Sequence, residues 1–599
     1  MISRRQLFEI AAALAIVPAR SARGQRSKFP GVPGRVVRMD GATAESVELV
    51  RDWDGSFCRA SVVNRGTAPV RIKEVVLFEF LIPLPVKTEL YGEGFQMLSQ
   101  TGGTLGQPVD FSQYTDAGHY KMSATDGARA CYGLLTMTLP MGETSLFAFT
   151  SCAKFSGRFE IGGMPPSRLA VVVDTEGLEL APNERWTLEE LMAVSGPDRA
   201  KLLTDVASRL AVHHPRPATV RAAAPPTGWC SWYCFGPSVT AQQVLDNLDV
   251  IAKRIPSLKY VQIDDGYQSA MGDWLDTGAA FGGDVRKVLA EISKRGFEPA
   301  IWVAPFVAEE GSKVFQQHRN WFIKDEEGAP LRSDRVTFGG WRRGPWYALD
   351  GTHPEAQEHL ERVFHTLRDE WGCTYFKLDA NFWGAMHGGR FHDAKATRIE
   401  AYRRGMQAIL RGAGDAFILG CNHAIWPSIG VVHGSRSSND IKRTWDRIST
   451  TARQNLSRNW QNGRLWWNDP DAVCLAGEMT DAECQFHATA IYASGGMVLS
   501  GDDLTALPPA RAAMLQKLLP PTGVAAEFED ATLRRGLIRL PNARMICLFN
   551  WDEDVKRMSF RLTQPSMVTD YWTDQSLGRR QGTVTVEMPP RSARLVKIT

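Results

Sequence analysis

A central (β/α)8 barrel, with an all-β sandwich before it and a small antiparallel β-sandwich after it, is the fold that this sequence predicts. Three observations carry the prediction. Residues 30–218 are short apolar runs punctuated by Gly, Pro, Asp and Asn, the rhythm of a sandwich. Residues 226–515 alternate short apolar runs with helix-periodic stretches, the rhythm of repeated strand–helix units. From residue 525 to 599 only strand-like segments recur.

In the first unit, runs such as 46–50, 70–77 and 169–173 read as strands, and a Pro-rich joint at 214–226 marks its end. Beyond the joint, Thr240 and Gln243 form a capping box that opens a helix with Val244, Leu248, Ile251 and Ile255 on one face. Residues 258–264 follow as a buried strand. Asp284 starts a helix with Val288, Leu289 and Ile292 inward and Gly296 as its stop. The next strand is 298–303. Thr352 and Glu355 read as a second capping box, with Pro354 in the first turn and Leu360, Val363, Phe364 and Leu367 on the buried face. Strand 374–378, a helix over 395–411 and strand 417–421 continue the alternation. A doubly wound sheet is the competing architecture, but no G-x-G-x-x-G follows a strand. The terminal unit shows strands at 545–549, 557–562, 568–571, 584–587 and 595–598.

The first 25 residues have the order of an export signal. Adjacent Arg4 and Arg5 precede an apolar stretch, Ile10 to Pro18, and then small residues. The arrangement is twin-arginine-like and predicts a bacterial periplasmic or extracellular protein; an amphipathic N-terminal helix is the competing reading. The stretch is too short for a permanent span, so no integral membrane segment is expected. Apolar residues make up 44% of the chain and charged residues 23%, which excludes a disordered, collagenous or polytopic membrane protein. A net charge of +3 without a basic run argues against nucleic acid as a partner. The ten cysteines are dispersed and lack zinc spacing. His387, His392 and Asp393 lack the H-E-x-x-H form and read as a loop, so neither metal nor organic cofactor is expected. Self-association is left open.

Reactive groups in such a barrel stand at the C-terminal ends of the strands. There the sequence places Trp229 and Trp232, Asp264 and Asp265, Trp302, Lys377 and Asp379, Asn422, and Arg436 with Asp440. A single strand ending in Asp is an ordinary turn. Several strands that each deliver a carboxylate or an indole point to a sugar site, where hydroxyls meet charged hydrogen-bond partners and the C–H face of the ring packs on Trp. Two separated carboxylates can also run glycoside hydrolysis.

At these residues the chain resembles the α-galactosidases of glycoside hydrolase families 36 and 27, in register over about 226–504. Gly228-Trp-Cys-Ser-Trp232 is similar to the family-36 opening, including its raffinose synthase-like branch. Gln262-Ile-Asp-Asp-Gly-Tyr267 resembles the paired-Asp strand of both families. Phe376-Lys-Leu-Asp379 resembles the Lys-x-Asp nucleophile strand, and Arg436-Ser-Ser-Asn-Asp-Ile441 the acid/base segment in a form closer to family 27. Trp467 to Asp471 and Leu499 to Leu504 match later landmarks.

The resemblance implies a retaining exo-glycosidase acting on terminal α-galactosides. It makes Asp379 the nucleophile and Asp440 the general acid and then base. Lys377 and Arg436 would hold sugar hydroxyls, Asp264 and Asp265 would grip O4 and O6, and Trp229 and Trp302 would form walls. Asn422 stands where family 27 carries a residue that helps choose galactose or N-acetylgalactosamine. Related specificities therefore stay open: α-N-acetylgalactosaminidase, β-L-arabinopyranosidase, galactosyl transfer, or a non-catalytic sugar-binding protein. Each residue also has a plainer reading: Asp379 as a strand-terminal cap, Asp440 as a helix N-cap with Asp446 in reserve as the acid, and the tryptophans as core. In the catalytic reading Lys377 lies on the face of Asp379 and keeps it ionised. Asp440 needs drier or more negative surroundings to hold a proton.

Overall fold

The computed structural model describes residues 32–122, 124, 127–162 and 167–599; the expected export segment lies outside them. The first unit packs a five-stranded sheet against a nine-stranded one. Val36, Ile72, Phe78 and Val171 of the former meet Val62, Leu135, Phe147 and Leu191 of the latter in one apolar core. It ends in a helix the sequence reading did not place, Arg199–His213, capped by Asp198, whose side chain accepts from Lys201 N. Leu202, Leu203, Val206, Ala207 and Leu210 form its buried stripe, a helical period at the edge of a strand-rich region.

The barrel strands are β1 Thr227–Cys230, β2 Tyr260–Ile263, β3 Glu298–Val303, β4 Tyr375–Leu378, β5 Phe417–Gly420, β6 Gly434–Arg436, β7 Trp467–Asp469 and β8 Val498–Ser500. All pair in parallel in one sheet, with β8 beside β1. Met497 N donates to Asn468 O at 2.8 Å, bringing the two edge strands together. The helices that follow the strands are α1 Ala241–Arg254, α2 Arg286–Lys294, α3 Pro354–Asp369, α4 Arg398–Ala413, the single turn α5 Ile425–Ser428, α6 Trp445–Ser457, α7 Asp481–Ser494 and α8 Pro509–Lys517.

The Thr240/Gln243 capping box is formed, and α1 buries Val244, Leu248 and Ile251. The box expected at Thr352 and Glu355 is not formed. The Thr352 hydroxyl donates to Asp350 at 2.7 Å instead, and α3 starts at Pro354 after an N-cap, His353, that makes no side-chain cap bond. Pro at the first position needs no cap for its missing N–H. Capping boxes that the sequence reading missed open α4, from Thr397 and Glu400, and α7, from Thr480 and Glu483.

The terminal unit is one six-stranded antiparallel sheet. The segments read as 557–562 and 568–571 are a single long strand, Lys556–Asp570, irregular between Leu562 and Ser566. Its first half meets Ile546, Leu548 and Val596 in one core, so the sheet folds over itself. All ten cysteines are free thiols. Among the described residues no helix is long and apolar enough to cross a membrane, and no cluster of His, Cys, Asp and Glu has the makings of a metal site.

Candidate active site

The two-residue period of the strands decides which side chains reach the site. Cys230, Tyr260, Ala300, Tyr375, Phe417 and Met497 come from different strands or strand ends and share one cluster, which is therefore the barrel interior. Counting in twos from them brings Gln262, Asp264, Trp302, Lys377 and Asp379 inward as well. Above this layer opens a cavity of about 320 Å³, lined by Asp264, Asp265, Trp302, Lys377, Asp379, Asn422, Asn439 and Asp440 together with Trp232, Phe338, Trp341 and four residues of the first unit, Leu98, Tyr114, His119 and Tyr120. Its volume is at the lower end of the roughly 300–1,000 Å³ of small-molecule sites.

At the floor, Lys377 Nζ meets Asp264 Oδ2 at 2.9 Å, both side chains buried. Gln262 Nε2 donates to the same oxygen at 2.6 Å. Burial opposes the charge on Lys377, but the Asp264 carboxylate more than offsets it and sets the ammonium's pKa well above its ordinary value. Asp265 accepts from Gln268 Nε2 at 2.6 Å and pairs with Arg342. Burial, followed by the nearby Asp264 and Asp379 carboxylates, pushes Asp265 up to about 6 against these two donors. Its second oxygen, Oδ2, is buried without a hydrogen-bond partner among the described residues.

Asp379 is held by neutral donors. Trp302 Nε1 donates to Oδ2 at 3.0 Å, while Asn422 Nδ2 and Ala380 N each donate to Oδ1 at 2.7 Å. Ala380 and Asn422, the residues framing this contact, both have left-handed backbones, at φ 53° and 41°. That conformation costs a non-glycine residue about 1–2 kcal/mol, and here it turns two donors onto one carboxylate.

Across the cavity, Asp440 Oδ1 accepts from Arg436 at 3.0 Å, and its side chain is 53% exposed. Arg436 is buried and also pairs with Asp471 at 2.9 Å and Asp469 at 3.2 Å. Burial, with Asp440 and Asp469 nearby, pushes Asp471 up to about 6 despite the pull of Arg436.

Seven of the nine expected residues thus line one cavity. Trp229 does not: Cys230 faces the barrel interior, so Trp229 faces outward, fully buried, with its Nε1 donating to Asp502 O at 2.8 Å. The indole in the cavity is Trp232, on the turn after β1. Arg436 lies behind Asp440, and its guanidinium is occupied by carboxylates. Lys377 pairs with Asp264 instead of supporting Asp379. Asp440 is not in dry surroundings, because it sits four residues past β6 at the rim, although its neighbours Asp469 and Asp471 are acidic. Trp232 was placed at the end of the first strand by the sequence but given no role in the site. Phe338 and Trp341 come from the long connection between β3 and α3, whose length was the only signal. Nothing local ties Leu98, Tyr114, His119 or Tyr120 to the barrel.

Residues 259–411 match the melibiase family model. The chain is 24% identical over 277 residues to the bifunctional α-galactosidase/sucrose kinase AgaSK of Mediterraneibacter gnavus, covering 43% of this chain and 26% of that protein. It is 29% identical over 153 residues to the myogenesis-regulating glycosidase of Mus musculus, covering 25% and 20%. The chain spans about a fifth to a quarter of the length of these two relatives. In fold it is similar to the α-galactosidase TtGalA of Thermus thermophilus, with a TM-score of 0.62 at 21% identity over 82% of this chain and 98% of that one. Over residues 259–411 the chain is thus similar to the melibiase family, and in fold it is similar to solved α-galactosidases.

Proposed function

We propose that this protein is a retaining exo-glycosidase that removes terminal α-galactose by double displacement. The observation that carries it is the pair of carboxylates, Asp379 and Asp440, lining one cavity of about 320 Å³ above the buried Lys377–Asp264 pair. Asp264 and Asp265 supply acceptors for ring hydroxyls, and Trp302 and Trp232 supply apolar faces. Asp440 protonates the glycosidic oxygen while an Asp379 oxygen attacks C1 from the opposite side. The C1–O bond breaks with its electron pair on the departing oxygen, and a galactosyl ester forms on Asp379. Water, deprotonated by Asp440, then attacks C1 and releases galactose with its anomeric configuration retained.

The test is a panel of chromogenic α-galactosides, α-N-acetylgalactosaminides and β-L-arabinopyranosides, with the released sugar's anomer followed by NMR. Fastest turnover of the galactoside, an α-anomer as first product and loss of turnover in Asp379→Asn are expected. A β-anomer as first product overturns double displacement. Tight galactose binding without turnover makes the protein a sugar binder.

We also propose that residues 1–25 direct export by a twin-arginine route. Arg4→Lys with Arg5→Lys should then hold the protein in the cytoplasmic fraction, and unchanged fractionation overturns this.

A further inference from the structure

Asp440 has to carry a proton to act as an acid, yet its nearest charged neighbour is the Arg436 guanidinium, which favours the ionised form. The other groups paired with Arg436 are acidic. Arg436 is shared by three carboxylates, Asp440, Asp469 and Asp471, so one positive charge faces three negative ones. Between Asp440 and Asp471 stands the hydroxyl of Tyr233, 2.5 Å from Asp471 Oδ2 and 3.4 Å from Asp440 Oδ1. Burial, and the two carboxylates facing it, hold the Tyr233 phenol far above its ordinary value, so its O–H is present.

A phenol has one proton to donate, and the shorter contact takes it. Asp471 is itself fixed. Ile441 N and Ala472 N donate to its two oxygens at 2.7 Å each, and Arg436 pairs with it at 2.9 Å. With its O–H turned to Asp471, the Tyr233 oxygen accepts from Arg436 Nη1 at 3.5 Å and turns its remaining lone pair toward Asp440. That contact is unfavourable when Asp440 is a carboxylate and favourable when it is an acid. Other charged or titratable groups around Asp440 are the Cys421 thiol just past β5, Arg447 of α6, which donates to the Asp440 carbonyl at 3.1 Å, and, lining the same cavity, Asp379, Asp265, Lys377 and His119.

We infer that Tyr233, oriented by Asp471, is a positioning residue that keeps the proton on Asp440 for the first step. The inference rests on the hydrolase reading above and adds two residues to it. In the first step the proton leaves Asp440 for the glycosidic oxygen, and Tyr233 remains a phenol throughout.

The test compares methyl α-galactoside, whose leaving group needs a proton, with 2,4-dinitrophenyl α-galactoside, whose leaving group does not. Wild type, Tyr233→Phe and Asp471→Asn are each followed as kcat/KM against pH. Both variants should move the basic limb for the methyl glycoside about one pH unit lower. That is a tenfold loss above the limb, and the methyl substrate should lose about tenfold more than the dinitrophenyl one. Tyr233→Phe removes only a hydroxyl and keeps the ring, so it decides the matter if Asp471→Asn does not fold. Equal losses on both substrates with an unmoved limb overturn the positioning role. A wild type inert on both substrates overturns the hydrolase reading and this inference with it.

Discussion

Lys377 commits its ammonium to Asp264, 2.9 Å away, and leaves Asp379, two residues along in sequence, to Trp302, Asn422 and Ala380 N. The cavity floor is thus a closed ion pair, and the carboxylate above it is oriented by donors that carry no charge. Because both members of the pair are buried, Lys377→Met should cost about 3–5 kcal/mol through the charge left unpaired on Asp264. Lys377→Met combined with Asp264→Leu should recover most of that. Urea midpoints at pH 7 measure both, and a single variant within about 1 kcal/mol of wild type would show that the pair contributes little beyond its desolvation cost.

The two tryptophans of Gly228–Trp232 should separate by assay. Trp229→Ala empties a core position and should destabilise by about 3–5 kcal/mol, with KM near wild type below its melting range. Trp232→Ala removes a cavity wall and should raise KM for a galactoside with a smaller effect on thermal melting. The reverse assignment of KM and stability effects would contradict the strand parity set by Cys230.

The barrel was legible because its signals are local: the Thr240/Gln243 box, the α2 face of Val288, Leu289 and Ile292, and strands that end in Asp264 and Asp379. Strand ends also located most of the cavity. Trp229 and Trp232 could not be told apart, because the inward face of β1 is set by Cys230, which only the folded barrel shows. Arg436 was not legible in the same way: Asp440 is four residues away, but Asp469 and Asp471 lie more than thirty residues on, and only folding shows that these carboxylates fill its guanidinium. The wall contributed by Leu98, Tyr114, His119 and Tyr120 depends on docking one unit against another, which leaves no periodicity in the chain.

If galactose is the ligand, as proposed above, Asp265 should make its binding pH-dependent. Its folded value of about 6 lies above the ordinary value of about 3.9. The folded protein therefore holds a proton there that the unfolded chain has lost, and this contribution to stability fades as pH rises through 6. A sugar hydroxyl donated to the Asp265 carboxylate favours the ionised form, so binding strengthens over the same range. Affinity for galactose should rise about tenfold between pH 5 and pH 7, with a proton released on binding at pH 5. Calorimetry in buffers of different ionisation heat reads both effects. Asp265→Asn should bind weakly at both pH values with no proton release, and an unchanged pH dependence in that variant would assign the titration elsewhere.

Arg458 joins the first unit to the acid/base segment. It pairs with Glu93 at 2.6 Å, both side chains buried, and donates to Met97 O at 2.7 Å and Ser437 O at 3.0 Å. Met97 precedes the cavity residue Leu98, and Ser437 precedes Asp440 by three positions, so one guanidinium fixes the spacing of two cavity walls. Arg458→Met should cost about 3–5 kcal/mol, because Glu93 stays buried and charged. It should also raise KM, because the tie between Met97 and Ser437 is gone. Adding Glu93→Leu distinguishes the two consequences: it removes the buried charge and should restore much of the stability, while KM remains raised. If KM returned to the wild-type value along with stability, Arg458 would matter only as the counter-ion of Glu93, and the wall spacing would have to be set by other contacts between the two units.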